Sequence, residues 1–158
     1  MYSQALLPVL TVCTVLFPSI AASTLSTHEP FCPPRPATDS EQAMIWKIFI
    51  HEFYDELQIK ATYDKFVASN LIQHNTNTPD GRDAAVSVIE GLLEGSQLDR
   101  VHTVVQDNFA FIHVKITPKT GPIGAFADLY RMEGTCIVEH WDVIQSLPPN
   151  ATNPHPLF

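Results

Sequence analysis

The sequence predicts an α+β fold, with helices first and then a curved antiparallel sheet that carries them on one face. Three observations point there. Apolar residues recur at helical spacing between residues 39 and 93. From residue 100 to 145 the pattern changes to β-branched and aromatic runs separated by short turns. The length of 158 residues suits one domain with a core of its own.

Taken in order, residues 1–23 read as a secretory signal peptide. Ala5 to Ile20 is mostly apolar and uncharged, and Ala21-Ala22-Ser23 supplies small residues for cleavage. An uncleaved anchor is the other reading, but Pro8 and Pro18 and the short run disfavour a spanning helix. Residues 24–38 form a proline-rich, extended arm. Thr38 and Glu41 stand at capping-box spacing and open a helix that runs to about Leu57, with a stripe of Met44, Ile45, Ile48, Phe49, Glu52 and Phe53. A second helix covers about Ile59 to Ala68. Gln73 to Gly81 is a loop by its turn residues, and a third helix spans Arg82 to Leu93.

Strands are expected at Arg100–Gln106 and Phe109–Thr117, joined at Asp107-Asn108, which sets His102 opposite His113. A second hairpin occupies Ala125 to Gln145 and turns near Glu133-Gly134. A three-residue loop with a bulge is favoured. It would pair Met132 with Cys136 and Asp128 with His140, with Phe126, Asp128, Tyr130, Val138, His140 and Asp142 on one face. A two-residue loop pairing Met132 with Thr135 would put Asp128 opposite Glu139 instead. Residues 146–158 form an irregular tail that carries one glycosylation sequon at Asn150.

The net charge of −8 and the lack of a Lys/Arg stripe argue against nucleic acid as a partner, and against adhesion to an anionic membrane. Beyond the leader there is no second apolar run of spanning length, so no membrane association is expected after cleavage. Cys13 would leave with the leader. Cys32 and Cys136 then either bridge the arm to the hairpin turn, as an oxidising compartment permits, or stay as buried thiols.

No glycine-rich phosphate loop, nucleophile elbow or H-E-x-x-H is present, so no organic cofactor is expected. His102, His113 and His140 with Asp128 could share one sheet face and hold a borderline cation, but no tight ligand spacing supports this and no metal is expected. His74, in a polar loop, suits either proton shuttling or a helix-end cap. Trp46 and Trp141 suit core or interface positions, or the wall of an apolar ligand pocket.

Three segments carry a resemblance: Leu71-Ile72-Gln73-His74-Asn75 with Asp80-Gly81-Arg82, then Phe111-Ile112-His113, and last Ala127-Asp128-Leu129-Tyr130-Arg131 leading into Ile137-Val138-Glu139-His140-Trp141-Asp142-Val143. Over about Asp39 to Gln145 the chain resembles the SnoaL-like polyketide cyclase branch of the nuclear-transport-factor-2-like superfamily. The resemblance implies a cone-like curved sheet packed on three N-terminal helices, of the cystatin-like type. It implies Asp128 as general acid/base and His113 as its partner in an aldol-type cyclisation or isomerisation of a hydrophobic carbonyl compound, with no cofactor. His74, Asn75, Tyr130, His140 and Trp141 are implied as substrate-binding positions.

The chemistry is coherent. A carboxylate in a closed apolar cavity can take a proton from a carbon next to a carbonyl, and the enolate oxygen then needs a hydrogen-bond donor. Secretion departs from the intracellular setting of such cyclases. The alternative is therefore a secreted, non-catalytic module of the same fold that holds a small apolar ligand. A homodimer through the outer sheet face is the implied assembly. The stripe Ala110, Ile112, Val114, Ile116 would serve either as that contact or as the face against the helices.

Overall fold

The computed structural model describes residues 30–158. The expected signal peptide, Cys13, His28 and the first part of the arm lie outside the described residues. Among the described residues no helix is long and apolar enough to cross a membrane.

Helix α1 (Asp39–Ile50) begins at the expected capping box: the Thr38 N–H donates to Glu41 Oε2 at 2.8 Å, and the Glu41 N–H donates to Thr38 Oγ1 at 3.3 Å. Its buried side is Gln42, Ile45, Trp46, Phe49 and Ile50, a stripe rotated from the expected one so that Met44 is exposed. The helix then widens into a π-helical turn, His51–Asp55, closed by the Glu56 N–H to the His51 carbonyl. This wider turn puts Phe53 and Tyr54, adjacent in sequence, both into the interior.

Helices α2 (Ile59–Phe66) and α3 (Arg82–Leu93) follow, α3 with the expected bounds. Between them lies strand β1 (Val67–Gln73), which the sequence reading divided between the end of a helix and a loop. No glycine or proline marks the change from helix to strand at Phe66-Val67, and the exposed Ser69-Asn70 pair interrupts the apolar alternation.

Strands β2 (Gln97–Gln106), β3 (Phe109–Thr117), β4 (Gly124–Glu133) and β5 (Cys136–Ser146) form an antiparallel meander. The sheet order is β1-β5-β4-β3-β2, with β1 added parallel to β5. The β2–β3 turn is Asp107-Asn108, both residues at positive φ, and His102 does pair with His113. In the β4–β5 hairpin Glu133 pairs with Cys136 across Gly134-Thr135, and a bulge at Val138 follows. Tyr130 therefore meets His140, and Asp128 meets Asp142. Neither expected register is realised. The favoured one differs by two positions, an even slip, so Asp128, Tyr130, His140 and Asp142 still share a face.

Ala110, Ile112, Val114 and Ile116 are buried on the inner face, against the helices rather than on the outer side of the sheet. Phe49 centres the layer between helices and sheet, with ring centroids of Trp46, Phe53, Phe66 and Tyr130 between 5.2 and 5.7 Å away. The arm belongs to this structure. Phe31 stacks on Phe66 at 4.6 Å, and Cys32 is disulfide-bonded to Cys136. Thr135 donates from its hydroxyl to the Phe31 carbonyl and from its N–H to the Arg35 carbonyl. Gly134 is required at the turn because its φ is +54° and a Cβ there would overlap the Arg35 carbonyl.

Cys32→Ser removes the bridge without touching the aromatic layer. We expect it to lower the unfolding free energy by about 2–4 kcal/mol, read as an earlier urea midpoint than the parent's.

Candidate active site

The inner face of β4 and β5 forms the floor of a pocket roofed by the π-turn, α2 and α3. Its apolar wall includes Phe53, Leu92, Leu93, Leu98, Phe126 and Ile144, with Leu92 exposed at the mouth. Its polar groups are Tyr54, Tyr63, Asp128, Tyr130, His140 and Asp142. The space open to the centre of a water is ≈ 50 Å³, enough for a few waters or the reacting end of a small molecule.

Asp128 is 6% exposed and His140 5%. The Tyr54 hydroxyl donates to Asp128 Oδ2 at 2.7 Å, and the Tyr130 hydroxyl, 2.9 Å from that of Tyr54, donates to it in turn. Burial, then the nearby Asp128 charge, pushes the Tyr54 hydroxyl well above its usual pKa. Burial does the same to Tyr130 and Tyr63. All three phenols are thus neutral hydrogen-bond donors.

The protonation pattern of His140 follows from its neighbours. Gln73 Oε1 lies 2.9 Å from His140 Nδ1 and also accepts the Asn75 backbone N–H at 3.1 Å. A backbone N–H can only donate, so that Gln73 atom is the amide oxygen and Nδ1 must carry a hydrogen. In the neutral ring Nε2 is then a bare acceptor. It points toward Asp128 Oδ1 at 3.9 Å and, among the described residues, has no hydrogen-bond partner. Tyr63 Oη is likewise buried and makes no well-formed hydrogen bond among the described residues, with the Tyr130 hydroxyl as its polar neighbour. Asp142 is held by Asn75 Nδ2, at 2.9 and 2.7 Å from its two oxygens. Asn75 is fixed in turn by donors from Asn77 and Thr78 to its Oδ1.

Of the expected site residues, Asp128, Tyr130 and His140 come together in the pocket, and Asn75 reaches it through Asp142. Three do not. His113 is corrected as the partner of Asp128: Ile112 pairs with Asp128, so His113, one residue on, points from the opposite sheet face. There it stacks on Phe158 and meets His102. The convergence of His102 and His113 with Asp128 fails for the same reason.

Trp141 also faces outward, stacked on His74 with ring centroids 4.6 Å apart. His74 Nε2 donates to Glu139 at 2.8 Å, and Arg131 donates to the other Glu139 oxygen at 2.6 Å. These two hydrogen bonds hold the Glu139 carboxyl below its usual pKa. Sequence reasoning did not assign Tyr54, Tyr63, Gln73 or Asp142 to the site. Only Asp142 carried a usable signal, its i+2 relation to His140 on one face.

No protein-family model matches the sequence, and no curated protein matches it. Solved structures do. A nuclear-transport-factor-2-like protein of unknown function from Mesorhizobium loti is 22% identical over 71% of this chain and 98% of its own, with a TM-score of 0.57. A candidate SnoaL-like polyketide cyclase from Jannaschia is 12% identical over 70% of this chain and 89% of its own, with a TM-score of 0.55. TsrD from Streptomyces laurentii is 14% identical over 66% and 88%, with a TM-score of 0.53. These likenesses show the fold: the chain is built on the α+β cone of the nuclear-transport-factor-2-like proteins, the fold that SnoaL-like proteins share.

Tyr54→Phe deletes the donor to Asp128 and leaves the Tyr130 hydroxyl without its acceptor. We expect a loss of about 1.5–3 kcal/mol in urea unfolding.

Proposed function

We propose that this chain is a SnoaL-like enzyme of the cyclase or isomerase type, which moves a proton at a carbon next to the carbonyl of a small hydrophobic compound. The observation that carries the reading is the buried Asp128 facing the unpartnered His140 Nε2 at the floor of an apolar pocket. The fold shared with candidate polyketide cyclases supports the class.

In this reading the substrate's carbonyl end enters past Leu92. Asp128 takes the proton from the α-carbon, and the electron pair moves onto the carbonyl oxygen. The protonated Asp128 donates to His140 Nε2, the acceptor set beside it. The enolate oxygen accepts from Tyr63 Oη, a neutral phenol that makes no well-formed hydrogen bond among the described residues. Return of the proton to another carbon isomerises the substrate; attack of the enolate carbon on a second carbonyl closes a ring, and the proton held by Asp128 then passes to the new alkoxide oxygen. Secretion belongs to the same proposal. It is supported by the leader-like run before residue 24 and by the Cys32–Cys136 bridge, a crosslink that persists in oxidising compartments.

The test is deuterium uptake into cyclic ketones, from cyclopentanone to 1-tetralone, followed by mass spectrometry in deuterated water. The parent chain should accelerate exchange, and Asp128→Asn should lower that acceleration by about 10²–10⁴-fold while keeping the fold. His113→Ala, on the far face, should leave the exchange rate unchanged. Equal exchange in the parent and Asp128→Asn would overturn the proposal, as would ketone binding without exchange.

A further inference from the structure

Among the described residues the pocket is lined by two carboxylates and by no lysine or arginine. Asp128 and Asp142 are directly paired across β4 and β5, and each is met by a neutral donor, Tyr54 and Asn75 respectively. His140 lies on the same face, two residues before Asp142. Its Nδ1–H is tied to Gln73, so a lone pair on Nε2 is directed toward Asp128 Oδ1, 3.9 Å away. One donor atom from each of the three residues falls within 4.8 Å of the others.

We propose that Asp128, His140 and Asp142 form a binding site for a divalent transition-metal ion, with Zn²⁺ as the best fit. Three donors on one such ion, at bond lengths of about 2.0–2.2 Å and near-tetrahedral angles, lie about 3.3–3.6 Å apart, so closure from 4.8 Å requires roughly 1–1.5 Å of side-chain movement. The donor set of one imidazole nitrogen and carboxylate oxygens suits borderline ions rather than Mg²⁺, which prefers oxygen and retains its waters. Each donor is already oriented from behind: His140 by Gln73, Asp142 by Asn75, Asp128 by Tyr54. That is the arrangement in which outer hydrogen bonds fix metal ligands. The ion would also cancel the repulsion between the two carboxylates.

The site goes beyond the proton-transfer reading and is measured without substrate, so either can fail alone. Where both hold, Zn²⁺ occupies the lone pairs that the proton uses, and it inhibits ketone exchange at one equivalent.

The experiment is calorimetric titration of the untagged protein with Zn²⁺ and, separately, with Mg²⁺. One zinc site is expected, preferred at least tenfold over magnesium. His140→Gln and Asp142→Asn should each weaken it at least tenfold, while His51→Ala, at the exposed His51-Asp55-Glu56 cluster, should not change it. X-ray absorption on the zinc-loaded parent should show one imidazole nitrogen among oxygen ligands. This measurement decides the matter if either pocket variant fails to fold. Absence of zinc binding would overturn the proposal. So would zinc affinity unchanged in both folded pocket variants, or a zinc shell without imidazole.

Discussion

A carboxylate on the inner face of a sheet that is closed over by aromatic rings constrains much of this molecule. Asp128 cannot reach bulk water, so its charge must be met by the few polar groups that the roof and the neighbouring strand deliver. The π-turn after α1 serves this need. By widening the helix it brings Tyr54 inward next to Phe53, and the tyrosine hydroxyl reaches the carboxylate while both rings stay in the apolar layer. On the other side the β5 bulge at Val138 sets Tyr130 against His140 and Asp142 against Asp128. Two local departures from regular geometry, one in a helix and one in a strand, therefore aim at the same few atoms.

The loop after β1 completes the arrangement. Gln73 ends the strand and holds the imidazole of His140, the His74 N–H bonds to the His140 carbonyl, and Asn75 grips Asp142. Three consecutive residues thus orient two pocket groups on β5, and the parallel addition of β1 to that strand makes this possible. His74 and Trp141 contribute from outside, where their stack covers the back of the sheet beneath the pocket floor.

Much of the fold was legible because its signals are local. The capping box, the bounds of α3 and of β3, and the Asp107-Asn108 turn depend on residues close in sequence. β1 was not legible, since seven residues with only three buried become a strand only when β5 lies beside them. The site was half legible for a related reason. Alternation along β4 and β5 puts Asp128, Tyr130 and His140 on one face whatever even slip the turn takes. The role of His113 comes from the resemblance by motif position, and it fails because the β3–β4 register pairs Ile112, not His113, with Asp128, so the parity of the strand sends His113 to the far face. Tyr54 depends on the π-turn, and nothing in the run His51-Glu52-Phe53-Tyr54 distinguishes that turn from a continuing helix.

The bridge between Cys32 and Cys136 spans 104 positions of sequence and encloses the helices, β1 and most of the sheet. Covalently, the domain is a ring with a tail at each end. A protease that cuts once in an exposed loop within it, at Thr76-Asn77 or near Gly121, releases no fragment. Both halves stay joined through sulfur, and the strands on either side of the cut remain held together. Such a chain can be nicked and still be one molecule, a durable arrangement wherever proteases share its surroundings.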